Sequence, residues 1–315
     1  MKNIMHKSLI IILFITILFS SCSDTKVGEN KDVLLIDEMT DILNSCQRDG
    51  DTMLYALDSL QSLGINFNNI ALPYATAYGL KGEYNKAIRI LKENISSSTK
   101  PQLFYQEMGG LFLMKGDTTE AISAYNEAIK CNPNYARPYI YLAELFRVKK
   151  NNDLAVDNYL SAVRLFSENG FFKEMKDYAD KALQIAPTNI ELKKYLQYYY
   201  VMEKDHQMVL KIGYNIEEHR AAQKGYDGLC EHLVFMGMSF YNLQKYNEAL
   251  SVFNKAIEHN TEAQDYEYVI YCYSSACFNK LGKDEAAKAF SEAAKEVYPE
   301  EAEGYIQEIL NVVKD

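Results

Sequence analysis

Six prolines and fifteen glycines in 315 residues leave few places where a regular element must break. A turn-rich β-sandwich is excluded by that shortage, and the abundance of leucine, alanine, lysine, glutamate and tyrosine favours helices. Tryptophan is absent altogether. There is no CxxC, no GxSxG, no GxGxxG, no phosphate-cradling GxxxxGK, no HExxH and no calcium loop of alternating acids, so no enzyme class announces itself. His206, His219, His232 and His259 have no partner one helical turn away and read as surface or packing residues rather than ligands. Glu217-Glu218 and Glu300-Glu301 read as solvated acidic surface, the second pair also suiting a helix start. The expectation is therefore no catalytic residue, no metal and no cofactor. Positive charge is short as well: 33 Lys and Arg face 43 Asp and Glu, a net charge of −10. A phosphate backbone would be repelled on average, which argues against nucleic acid as a partner. With 48% hydrophobic residues the chain can nevertheless bury a core.

Long apolar runs are also scarce. Residues 9–19 form one, interrupted only by Thr16 and preceded by Lys2 and Lys7. It is shorter than the roughly 20 residues that a spanning helix needs, and it reads as the apolar region of a secretory leader. It ends in Phe19-Ser20-Ser21-Cys22. This resembles a bacterial lipobox, in which an apolar residue and two small ones precede the cysteine that receives diacylglycerol. The resemblance implies a lipoprotein signal peptide over 1–21, lipid attachment at Cys22 and a flexible polar tether over 22–32. It also implies membrane association through the N-terminal lipid alone, and acyl chains add about 0.8 kcal/mol per buried methylene. By the sorting rule of such lipoproteins, Ser23 after the cysteine implies the outer membrane of a cell envelope, on its periplasmic or its surface face. The five later cysteines, Cys46, Cys131, Cys230, Cys272 and Cys277, are odd in number and irregularly spaced. They read as small buried thiols in helices rather than a disulfide framework.

Self-similarity is the strongest signal in the remainder. Tyr74, Met108 and Leu142 stand 34 residues apart, as do Ala75, Gly109 and Ala143, and Tyr78, Phe112 and Phe146. The same interval relates Ala87, Ala121 and Ala155, then Leu91, Tyr125 and Tyr159, then Asn94, Ala128 and Ala162. Gly82-Glu83-Tyr84 and Gly116-Asp117 mark turns, and Pro133 closes the middle unit. This pattern resembles the tetratricopeptide repeat: large apolar, small, aromatic, turn, alanine, aromatic, alanine, proline. Two helices approach to about 8–10 Å only where small side chains meet, the role given to Gly109 and Ala121.

A second array keeps these columns with a step of 38: Gly237, Phe240, Ala249 and Ala256 become Ser275, Phe278, Ala287 and Ala294, and Pro299 closes it. Gly170, Ala182 and Pro187 match Gly116, Ala128 and Pro133 at a separation of 54, so one extra helix is inserted. The expected architecture is all-α, a right-handed α-α superhelix of about fifteen helices over 33–315. Clear repeats fall at about 68–100, 102–134, 136–168, 230–263 and 268–299. Degenerate pairs fall at 33–65 and 189–220, the extra helix at 171–186, and a capping helix at 300–314. The resemblance covers roughly 68–299.

In tetratricopeptide arrays the first helix of each pair lines a concave groove. Carried over residue by residue, the resemblance places Gln106, Leu113, Arg137, Tyr141, Glu144 and Arg147 in the groove of the first array. In the second it places Glu231, Phe235, Met238, Tyr241, Val269, Tyr273 and Asn279, with Tyr195 and Tyr198 between. Arg137, Tyr141, Arg147, Tyr195, Tyr198, Phe235, Met238, Tyr241 and Tyr273 are the expected partner contacts, because tyrosine and arginine anchor partners at low entropic cost. The expectation for function is a membrane-anchored, non-enzymatic adaptor that holds a peptide or protein partner in the groove. The alternative is a glycan-binding lipoprotein beside a nutrient transporter. The absence of tryptophan and of a long non-repeat insertion counts against that alternative.

Overall fold

A computed structural model describes residues 49–62, 67–222, 231–258, 266–299 and 301–312. The leader, Cys22, the tether and the first helix of the 33–65 pair lie outside the described residues, as do Cys46, Cys230, His259 and Glu300. Among the described residues there are fifteen α-helices, one short 3-10 turn at Ile95–Ser97 and no strand. The chain divides after Leu142 into two compact units.

The first unit holds α1 (Gly50–Ser62), α2 (Phe67–Leu80), α3 (Tyr84–Asn94), α4 (Pro101–Lys115) and α5 (Thr118–Cys131), and the boundary falls within α6 (Ala136–Val148). The second holds α7 (Asn152–Glu168), α8 (Phe172–Ile185), α9 (Ile190–Met202), α10 (His206–Ala222), α11 (Glu231–Asn242), α12 (Tyr246–Glu258), α13 (Glu267–Lys280), α14 (Asp284–Val297) and α15 (Ala302–Val312). In the first unit each of α1 to α4 packs on its successor, and α2 also meets α4. In the second, α7 to α14 each pack on the next helix, while α7, α9, α11, α13 and α15 touch in turn. Contacts concentrated between nearest and next-nearest helices are the signature of a helical solenoid.

The helix ends recur with the repeat. Asp117 and Asn151, 34 apart, each cap a helix by accepting the amide of the third residue on, at 3.2 and 3.3 Å. Gly82 and Gly116 adopt left-handed backbone (φ 78° and 87°), and the Asp117 amide reaches back to the Phe112 carbonyl at 2.8 Å. The next residue in that column, Lys150, makes the same turn at φ 59° without being glycine, as Gln244 does at φ 60° where Gly282 follows 38 later.

Between these ends the small columns bring helices into contact. Ala87, Ala121, Ala155 and Ala249 have no exposure, and Gly109 lies against the buried ring of Tyr125. One expectation about side chains is corrected. Cys272 and Cys277 are buried, but Cys131 is exposed because it is the last residue of α5, past the final turn that its neighbours cover.

Candidate functional site

In the first unit, α2, α4 and the start of α6 carry the groove positions. The hydroxyl of Thr76 on α2 lies 2.9 Å from Glu107 Oε1 and 3.1 Å from the Leu72 carbonyl. Its single proton goes to the shorter, charged acceptor. Glu107 is half-buried, and burial pushes its pKa up while the Thr76 bond opposes the rise. Among the described residues no cation pairs with it. One turn along the same face is Gly110, where a β-carbon would meet nothing within 4 Å. Tyr141, 38% exposed, stacks on buried Tyr125 with centroids 5.2 Å apart. Burial raises the Tyr125 pKa first, and the nearby Tyr141 and Glu107 raise it further, so all three groups share one neighbourhood. Gln106 accepts a short hydrogen bond from the Tyr135 hydroxyl, and Arg137 is exposed beside Tyr135.

In the second unit the structure brings Tyr198 and Phe235 together at 6.1 Å, with Phe172 edge-on to Tyr198 at 5.8 Å. Tyr195 and Met238 are half-buried beside these positions in the sequence. Glu231 links first helices: Lys194 approaches it at 3.1 Å and the Tyr266 hydroxyl donates to it at 2.9 Å. Arg147 is exposed but engaged, with Nε and Nη2 on Glu144 at 2.9 and 2.8 Å, while Lys181 reaches the other Glu144 oxygen at 3.3 Å. Burial acts to raise the Glu144 pKa, yet the nearby Tyr159 hydroxyl and the bonds from Arg147 and Lys181 hold it below its ordinary value.

Two expected contacts are overturned. Tyr241 has no exposure, and Tyr273 is 9% exposed. Their rings lie 5.4 Å apart in the core with Phe253, and the Tyr241 hydroxyl donates to the Ile309 carbonyl at 3.2 Å. The cause is α15, which packs on α13 as a further first helix and covers the face on which both had been placed.

Two features were not singled out in the sequence. Glu107 occupies the column of Tyr141, 34 residues earlier, and that register was the available signal. The second feature is a cleft of about 300 Å³ bordered by Ser275, Asn279, Ser291, Gln307 and Leu310. Ser291 stands 38 residues after Phe253, so a ring that fills one pair is missing from the next. Buried Gln197 donates to the Val209 and His232 carbonyls, both at 3.2 Å, and buried His232 pairs with Glu217 at 2.7 Å. These contacts tie α9, α10 and α11 together. Among the described residues no group of three or more His, Cys, Asp or Glu could hold a metal ion, and no helix is long and apolar enough to cross a membrane.

The tetratricopeptide repeat family model matches residues 104–135 and 233–260, so the chain contains tetratricopeptide repeats. No curated protein matches it. Among solved structures it is similar to a chain of the APC/C hetero-tetramer Cut9-Hcn1, with 14% identity over 92% of this chain and 57% of that one, and a TM-score of 0.43. It is similar to YrrB, described as a TPR protein with an unusual peptide-binding site, with 17% identity over 69% and 96% and a TM-score of 0.39. It is also similar to MamA of AMB-1, with 16% identity over 63% and 92% and a TM-score of 0.41.

Proposed function

We propose that this chain is a non-enzymatic interaction scaffold, and that it holds a peptide or protein partner against the first helices of its repeats while a lipid on Cys22 keeps it at the outer membrane. The observation that carries the reading is the surface left on those helices once packing is complete. Tyr141, Tyr198 and Phe235 offer ring area there, while Glu107 and Glu231 offer acceptors. Rigid rings beside oriented polar groups suit recognition of a polypeptide segment. The anchor rests on the run at 9–19 followed by Ser20-Ser21-Cys22.

Two measurements test the parts separately. A photo-cross-linking amino acid placed at Tyr141 or Tyr198 should trap one discrete protein in the envelope, whereas the same probe at exposed Asp157 on α7 should not; equal trapping at all three overturns the scaffold face. Growth with an alkyne fatty acid should label the wild-type chain and leave Cys22→Ser unlabelled and released from membranes. Labelling of both, or of neither, overturns the anchor.

A further inference from the structure

We propose that Glu107, Gly110 and Tyr141 together form a recognition site for a lysine or arginine side chain of the partner, an inference that rests on the scaffold reading and names the chemistry of one of its contacts. Three observations converge on it. A carboxylate held partly out of water is costly unless an opposite charge or several donors meet it, and among the described residues Glu107 has one hydroxyl bond and no cation. There is room beside it: Gly110 lies one turn later on α4 and has nothing within 4 Å of the place a β-carbon would take, although the residue 34 before it, Thr76, supplies a hydroxyl. An exposed ring shares the neighbourhood: Tyr141, 38% exposed, stacks on Tyr125, whose hydroxyl is influenced by both Tyr141 and Glu107.

A carboxylate beside an aromatic face selects a cation. The charge pairs with the carboxylate, and the ring quadrupole adds attraction over distances up to about 6 Å. An apolar side chain would leave the carboxylate unpaired, and an acidic one would be repelled. The chain's net charge of −10 draws basic segments toward it at longer range. Arg137, the cation nearest in sequence to Tyr141, acts on the Tyr135 hydroxyl rather than on Glu107.

The test uses the full chain with 3-fluorotyrosine at position 141, read by 19F NMR during titration with Nα-acetyl-arginine amide, Nα-acetyl-lysine amide and the neutral isostere Nα-acetyl-citrulline amide. The two cations should give saturable shifts up to about 50 mM, the range of a weak single-residue contact, and citrulline should not. Glu107→Gln, which keeps the Thr76 bond, should weaken the cations at least tenfold, and Gly110→Leu should block them by filling the open space. Equal shifts from citrulline, unchanged affinity in Glu107→Gln, or no saturation by any probe overturns the proposal. Cross-linking at Tyr141 that survives both variants overturns it while leaving the scaffold reading intact, whereas absence of any discrete wild-type cross-link defeats the scaffold reading, and with it the partner, even where the free cations still bind.

Discussion

A β-carbon built on Gly237 would stand 2.3 Å from Cε1 of Phe253, a ring with no exposure. The same relationship joins Gly109 to Tyr125 at 2.5 Å, 16 residues apart in both cases. Glycine in a helix interior ordinarily costs up to about 1 kcal/mol against alanine. Here the close approach of α11 and α12 reverses the preference. Gly237→Ala should destabilise by about 1–3 kcal/mol through overpacking, measured by urea unfolding. In a Phe253→Leu background the same substitution should cost much less. A gain in stability from Gly237→Ala alone would show that the two helices do not constrain each other there.

Glu107 makes an opposite prediction. Its folded pKa lies above the ordinary carboxylate value because burial disfavours the charged form. The unfolded chain therefore loses this proton first as pH rises, and the folded state loses stability through that window. Glu107→Gln removes the titration and keeps an acceptor for Thr76. The variant should be more stable by on the order of 0.5–1 kcal/mol at pH 7, with the difference vanishing below about pH 4. A less stable variant at neutral pH would mean that Glu107 contributes to the fold rather than to recognition.

The small and aromatic columns were legible in the sequence because they answer to one requirement, the close approach of paired helices. Ala87, Ala121, Ala155 and Ala249 obey it without exposure. Exposure was not legible in the same way, because it depends on what a neighbouring helix covers. Tyr141 and Tyr241 are both tyrosines on a first helix, yet one is open and the other lies beneath α15. Glu107 was missed for a related reason: a charged residue in a column of rings reads as surface until burial and the absence of a counter-charge are seen together. The turns were half legible, since glycine marks them at 82, 116 and 282 but lysine and glutamine fill the same role at 150 and 244.

Those substituted turns yield a third expectation. A residue with a side chain at φ 60° is strained relative to glycine. Gln244 is exposed, and its amide donates to the Tyr241 carbonyl at 2.9 Å. Gln244→Gly should therefore stabilise by about 0.5–1 kcal/mol, less than the full strain because glycine frees the unfolded chain. Thermal unfolding would show the sign, and a fall in Tm would rule out strain as the dominant effect.

The cysteines separate by environment. Burial pushes Cys277 up to about 12 and Cys272 up to about 11, with the Tyr268 contact opposing it in Cys272, while Cys131 is exposed. Thiolate is the reactive form, so both buried thiols should resist alkylation. Iodoacetamide at pH 8 followed by peptide mapping should modify Cys131 in the native chain and the other two only after denaturation. Native labelling of Cys277 as fast as Cys131 would contradict the closed packing of α13.

The cleft beside Ser291 can be filled, but the column across from it decides by what. Opposite the rings of Tyr125 and Phe253 the residue is Gly109 or Gly237, and opposite the buried ring of Tyr159 it is Ala143. Where the opposing residue is Ala75, the place is taken by Leu91, which is wholly buried. Ser275 adds to its β-carbon a hydroxyl that donates to the Ala287 carbonyl at 2.7 Å, and that bonded hydroxyl, which Ala143 lacks opposite Tyr159, is what a flat ring would displace. Ser291→Leu should thus raise stability by about 0.5–2 kcal/mol, through apolar area buried against Ala287, Ile306 and Leu310. Ser291→Phe alone should gain nothing, and adding Ser275→Gly should recover about 1–2 kcal/mol of favourable coupling. A double-mutant cycle by chemical unfolding measures it. Independent effects at the two positions would show that the close approach across this pair does not select its side chains.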